Sequence, residues 1–273
     1  MDAYYINLDS DEGRRQFIEK GFSDYNNQTG TLKRVPAIDI NHVVSAAIPG
    51  KIRSGEKACI LSHQRAIELS INDNNHSLII EDDVQFGPNT FSLLSKLGTL
   101  LDDFDIVFTD LGLGDIHDMI RFFVRRRKML SQGLFKLLDL KGIFFFGSTA
   151  YVINARSKEK LIGLIDGLPS LDLPYDIQLR QWIENGDIKA GLAFPFLTTV
   201  SSHADYSGIQ LTDLQLTDAV CNAYRRIMWA DFGHVPENPV ELLSKLNASY
   251  FDTQSLYFAQ ILSVMLSPNF IEK

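Results

Sequence analysis

Three consecutive acids, Glu81-Asp82-Asp83, follow directly on the short apolar run Ser77-Leu78-Ile79-Ile80. A brief, partly β-branched apolar stretch bounded by polar residues reads as a strand buried on both faces, as in a parallel sheet. The acids then stand at its carboxyl end, where open α/β sheets bind ligands. Three carboxylates crowded together repel one another unless a cation offsets their charge. A hard divalent ion held by carboxylate oxygens, with positions left for water and phosphate oxygens, is the natural partner. Read alone, the triplet also fits an acidic, solvated strand-to-loop turn.

The rest of the chain alternates strand and helix signals. Ala3 to Leu8 reads as a first strand, and Asp9-Ser10-Asp11-Glu12 caps and charges a helix running to about Lys20. Leu32 to Ile38 is a second strand, with Pro36 near an edge. A helix from Glu56 to Ile71, capped by Ser54, has Ala58, Leu61 and Leu69 on one side and Ile60 and Ile67 on another, which predicts burial on more than one face. Glu56 and His63 lie seven residues apart and project the same way, as groups pointing into a cleft would. A helix over Thr90 to Leu101 and a strand over Asp105 to Thr109, ending in Asp110, complete an α/β pattern that predicts a mainly parallel sheet with right-handed crossovers.

Between Gly112 and Gly142 that pattern breaks, and the Arg-rich stretch from Met119 to Leu130 reads as an insertion or mobile loop over the sheet edge. Ile143 to Phe146 and Tyr151 to Ile153 resume strand character. Gly147-Ser148-Thr149 between them would let a ligand approach the backbone, or forms a plain bulge. Helices follow over 157–164 and 175–185, then a strand over Leu192 to Val200. The chain beyond His203 looks helical, over 212–229, 239–246 and 256–266. The expected division is a sheet domain over 1–205 and a helical cap over 206–273.

With 273 residues, 45% of them hydrophobic, the chain can bury one large core or two modest ones. Its net charge of -8 argues against a nucleic-acid partner. Cys59 and Cys221 have neither metal-ligand spacing nor a disulfide framework, and fit a reducing cytosol. The first residues lack the features of a signal peptide, and no apolar run is long enough to span a bilayer. The expectation is a soluble cytoplasmic protein. Arg121 to Lys128, interleaved with Phe122, Phe123 and Val124, could lie peripherally on an anionic membrane at its inner face; a solvated loop or a grip on an anionic sugar are the alternatives.

Three stretches in order, Tyr5-Ile6-Asn7-Leu8-Asp9 with Arg14 and Arg15, Gly55-Glu56-Lys57-Ala58-Cys59-Ile60-Leu61-Ser62-His63, and Ile80-Glu81-Asp82-Asp83-Val84, resemble glycosyltransferase family 25. That family includes bacterial lipooligosaccharide galactosyltransferases and procollagen galactosyltransferases. Gly147-Ser148-Thr149-Ala150-Tyr151 and Pro174-Tyr175-Asp176 extend the resemblance more loosely.

The resemblance implies a GT-A-like, Rossmann-like fold and an inverting nucleotide-sugar transferase that uses a divalent metal, Mn2+ or Mg2+. Such an ion stabilises the charge left on a departing nucleoside diphosphate. Glu81 and Asp83 would stand for the family's Asp-x-Asp pair, Asp83 as metal ligand, Glu81 towards ribose or a metal-bound water, with Asp82 on the donor side. Ile6, Asn7 and Leu8 would line the nucleoside pocket, though Ile6 and Leu8 are equally core residues. Arg14 or Arg15 would reach phosphate, or lie on a solvated helix face. Glu56, Ser62, His63 and Arg65 would contact substrate or position the metal loop. His203, at a strand end, is the candidate late histidine of the metal site, or an ordinary surface histidine. Asp176 is the candidate base for the acceptor hydroxyl, with Asp110 and Asp172 competing. The implied function is transfer of a hexose, galactose first, from a UDP-sugar to a glycan or glycolipid acceptor in lipooligosaccharide or surface glycan synthesis. The alternatives are a catalytically silent binding module and a nucleotidyltransferase.

Overall fold

The computed structural model describes residues 1–26, 30–205 and 215–234, together with Thr253, Gln254, Tyr257 and Ile261. Strand β1 (Asp2–Asn7) leads into helix α1 (Glu12–Tyr25), which starts at Asp11, whose carboxylate accepts from the Arg14 N–H at 3.1 Å. β2 (Leu32–Pro36) ends on its proline and lies at the sheet edge, where the loss of a ladder donor is tolerated. The short α2 (Ile40–Ser45) precedes the long α3 (Ser54–Ser70). Arg53, not Ser54, holds the cap position of α3, because its backbone N–H donates to Glu56 Oε2 at 2.9 Å and its guanidinium pairs with the same carboxylate.

β3 (Ser77–Glu81) carries the acids at its end and is followed by β4 (Val84–Gln85), α4 (Thr90–Leu97), β5 (Ile106–Phe108) and β6 (Gly112–Leu113). Next come α5 (Ile116–Ser131), β7 (Lys136–Asp139), β8 (Phe145–Phe146) and β9 (Ala150–Ile153). α6 (Lys158–Asp166), α7 (Tyr175–Asn185), β10 (Ala190–Phe194), β11 (Thr199–Val200) and α8 (Gln215–Met228) follow among the described residues. The helix expected over 239–246 lies outside the described residues, as does most of the one over 256–266.

Seven strands form the central sheet, in the order β2-β1-β3-β9-β5-β10-β7. β1 is parallel to β2 and β3, and β10 to β5; β9 is antiparallel to β3 and β5, and β7 to β10. Five of the seven strands therefore run one way, which makes the sheet mostly parallel and Rossmann-like. Side-chain alternation divides the core between its faces. Tyr4, Ile6, Ile79, Phe108 and Tyr151 pack on the side of α3, α6 and α7, while Ala3, Tyr5, Leu78, Ile80 and Val152 pack on the side of α1 and α4.

Two expectations are corrected. The segment from Gly112 to Gly142 is not a loop: Asp115 caps α5 by accepting from the Asp118 N–H at 3.0 Å, and β7 adds an edge strand to the sheet. Phe122, Arg126 and Met129, at helical spacing, turn inward, with Phe122 against Phe194 and Arg126 donating to the Trp229 carbonyl at 2.6 Å. The exposed face of α5 thus keeps Arg121, Arg125 and Lys128 without the apolar Phe122 that membrane docking would use. The strand expected over Leu192 to Val200 is divided, because β10 stops at Phe194 and β11 pairs with β4 beside the acids. No helix among the described residues is long and apolar enough to cross a membrane.

Candidate active site

The acids sit where β3 leaves the sheet. The Glu81 N–H still donates to the Thr149 carbonyl at 2.8 Å, and the Asp83 carbonyl accepts from the Ser201 N–H at 2.8 Å, so neighbouring strands fix both ends of the turn. Arg14, on the first turns of α1, spans two of the carboxylates: Nη1 is 3.2 Å from Asp82 Oδ1 and Nη2 is 2.7 Å from Asp83 Oδ2. Asn7, at the end of β1, donates to Asp82 Oδ2 at 2.7 Å and is itself held by Arg34. One arginine and one amide thus hold Asp82 and one oxygen of Asp83.

The other oxygen, Asp83 Oδ1, is buried with no hydrogen-bond partner. Burial and the charges of Glu81 and Asp82 push the Asp83 carboxyl up to about 7 against the pull of Arg14. Burial also raises Asp82, with Arg14 and Asn7 opposing it. Glu81 goes the other way: burial would raise it, but His63, Arg14 and Arg225 hold it below the usual carboxylate range. An oxygen-rich site with an unsatisfied buried carboxylate oxygen fits a hard divalent cation, with Asp83 and Glu81 as the residues that would hold it.

A cavity of about 360 Å³ opens beside these acids, and Glu56, Cys59, Asp176 and Arg225 share its wall with Glu81 and Asp83. On the far side Gly147-Ser148-Thr149 passes close, Gly147 at φ +87°, a conformation that disfavours side chains. Asp176, in the first turn of α7, accepts from the Gly147 N–H at 2.7 Å through Oδ2 and from the Ile177 N–H at 2.9 Å through Oδ1. The same carboxylate therefore fixes this loop and faces the cavity.

Beside the loop lies a buried ion pair. Arg225 from α8 donates to Asp110 Oδ2 through Nε at 2.9 Å and Nη2 at 2.5 Å, and to Thr149 Oγ1 at 2.8 Å. Burial raises the Asp110 carboxyl, and Arg225 and Thr198 counter it. Arg226 is buried as well, on the Val200 and Ser201 carbonyls and Asp205. α8 is therefore locked into the sheet unit by two arginines.

Several expected residues meet here: Asn7, Arg14, Glu56, His63, Glu81, Asp82, Asp83 and Asp176. His63 is fully buried on α3, with Nε2 3.4 Å from Glu81 Oε1 and its ring stacked on Tyr175 at 4.5 Å. Other residues do not join them. Ile6 is in the core, and Leu8 is exposed off the cavity wall. Arg15 pairs with Glu12 along α1, and Ser62 is spent on the Ala58 carbonyl and the Ile38 N–H. Arg65 is exposed and reaches the Pro36 carbonyl, while Asp172 caps the exposed Lys51 N–H. His203 lays its ring edge-on against Phe17 at 5.1 Å; only its carbonyl comes near, 3.4 Å from Arg14 Nη2. Sequence reasoning missed Arg225, whose one signal was its place on a helix rich in buried positions.

No curated protein matches the chain. The profile of glycosyltransferase family 25 (LPS biosynthesis protein) matches residues 1–179 of the 273, which includes the β3 acids, the α3 motif and Asp176. The chain belongs to glycosyltransferase family 25, and so to the glycosyltransferases.

Proposed function

We propose that the chain transfers a hexose, galactose first, from a UDP-sugar to a glycan or glycolipid acceptor with inversion, using Mn2+ or Mg2+ held by Asp83 and Glu81. The observation that carries the reading is the buried, unpartnered Asp83 oxygen beside a cavity lined by a second carboxylate, Asp176. When bound, the ion supplies positive charge to the phosphate oxygens of the leaving nucleoside diphosphate. Arg14 keeps Asp82 and Asp83 in place despite their mutual repulsion. Asp176, oriented by the Gly147 N–H, takes the proton of the acceptor hydroxyl as the sugar passes through an oxocarbenium-like state.

The test is UDP release from a panel of UDP-sugars, with manganese and with chelator. Turnover with manganese and none with chelator is expected, and equal rates in both would remove the metal. Asp83→Asn should keep the fold and lose turnover. Pyrophosphate in place of UDP would make the chain a nucleotidyltransferase, and UDP-sugar binding without turnover of any donor or acceptor would make it a binding module.

A further inference from the structure

Cys59 and His63 lie four residues apart on α3 and so share a helix face, and Glu81 meets them from the end of β3. Cys59 Sγ, a His63 ring nitrogen and a Glu81 carboxylate oxygen all lie within 4.8 Å of one another. The 3.4 Å between His63 Nε2 and Glu81 Oε1 matches the spacing of two ligands on one tetrahedral zinc, roughly 3.3 Å when each bond is about 2.0–2.1 Å.

A second observation points to a ligand. His63 is wholly buried, yet its Nε2 makes no well-formed hydrogen bond and meets only the Glu81 carboxylate, 3.4 Å away. The other ring nitrogen is occupied: Nδ1 is 3.2 Å from the Tyr151 hydroxyl, which is 3.1 Å from the Tyr175 hydroxyl. Metal-bound histidines keep the non-ligating nitrogen on such a partner, which fixes the tautomer and aims the free lone pair at the ion.

We infer that Cys59, His63 and Glu81 form a binding site for a zinc-class divalent ion, with three protein ligands and a fourth position open to the cavity. Thiolate and imidazole select this softer ion, whereas the carboxylate oxygens around Asp83 suit a hard one. On binding, Cys59 gives its thiol proton to solvent, and Glu81 is drawn into the new site. Zinc would therefore compete with any ion that shares Glu81.

Binding is read without turnover, so its failure is distinct from failure of the transferase reading. The full chain is titrated with Co2+, whose thiolate complex absorbs in the near ultraviolet, and zinc is then added to displace it. The band should appear, be lost in Cys59→Ala and persist in Cys221→Ala, with Tyr151→Phe weakening zinc about 10–100-fold. No band in the unmodified chain, or a band that survives Cys59→Ala, overturns the site. Should Cys59→Ala not fold, iodoacetamide labelling of the unmodified chain decides: zinc must protect Cys59 and leave Cys221 as reactive as before.

Discussion

Two buried carboxylates, Asp83 and Asp110, are both raised by burial and both paired with an arginine, but only Asp83 is crowded by two adjacent acids. Asp83 holds a proton up to about 7 because burial and two neighbouring acids outweigh Arg14. Between the ordinary carboxyl value of 3.8 and about 7, the folded chain keeps a proton that the unfolded chain has released. Stability measured in chelator should therefore fall as pH rises through that window, and Asp83→Asn, which abolishes the charge, should raise Tm at pH 8 by a few degrees and much less at pH 4. An equal shift at both pH values would remove Asp83 as the cause. Asp110 takes two hydrogen bonds from Arg225, through Nε and Nη2. Arg225→Ala leaves a buried acid alone and should cost roughly 3–5 kcal/mol in urea unfolding, and adding Asp110→Asn should recover part of that loss.

At the scale of the element, Asp176 shows why the acids of a helix's first turn are hard to interpret. Its carboxylate supports the Gly147 loop and faces the cavity at once. Asp176→Asn keeps one acceptor oxygen for the Gly147 N–H at the expense of the Ile177 N–H and removes the proton acceptor, so kcat should drop about 10²–10⁴-fold with donor KM little changed. A parallel loss of donor affinity would mark the residue as loop support. The elements that were legible in sequence were those whose pattern has one meaning. The run before Glu81 could only be a buried strand, and the 175–185 helix was found to its last residue. Strand direction was not legible, since the apolar residues of β9 read the same whichever way the strand runs. α5 was missed because Phe122, Arg126 and Met129 include an arginine on the inward face, where a charge is rarely placed. Arg225 escaped notice for the same reason.

For the whole molecule, the expected division after Asp205 meets a sheet unit whose buried acid depends on α8. Truncation at that point removes Arg225 and Arg226 together and exposes the surface beneath Trp229. The shortened chain should lose cooperative thermal unfolding; a sharp transition would make 1–205 an independent domain. The family match ends at residue 179, inside α7, yet β10 is an interior strand of the sheet, so the folding unit extends past the matched region. Strand order brings segments distant in sequence to one place: Asn7 and Arg14, the α3 motif, the β3 acids, the 147–149 loop and Arg225.

Of these, Arg225 is synthesised after every strand of the sheet. Without α8, Asp110 has no counter-charge from Arg225 and the Thr149 hydroxyl has no donor. The centre that Asp110 and Thr149 share with Arg225 is thus complete only once α8 has docked on strands that precede it in the chain.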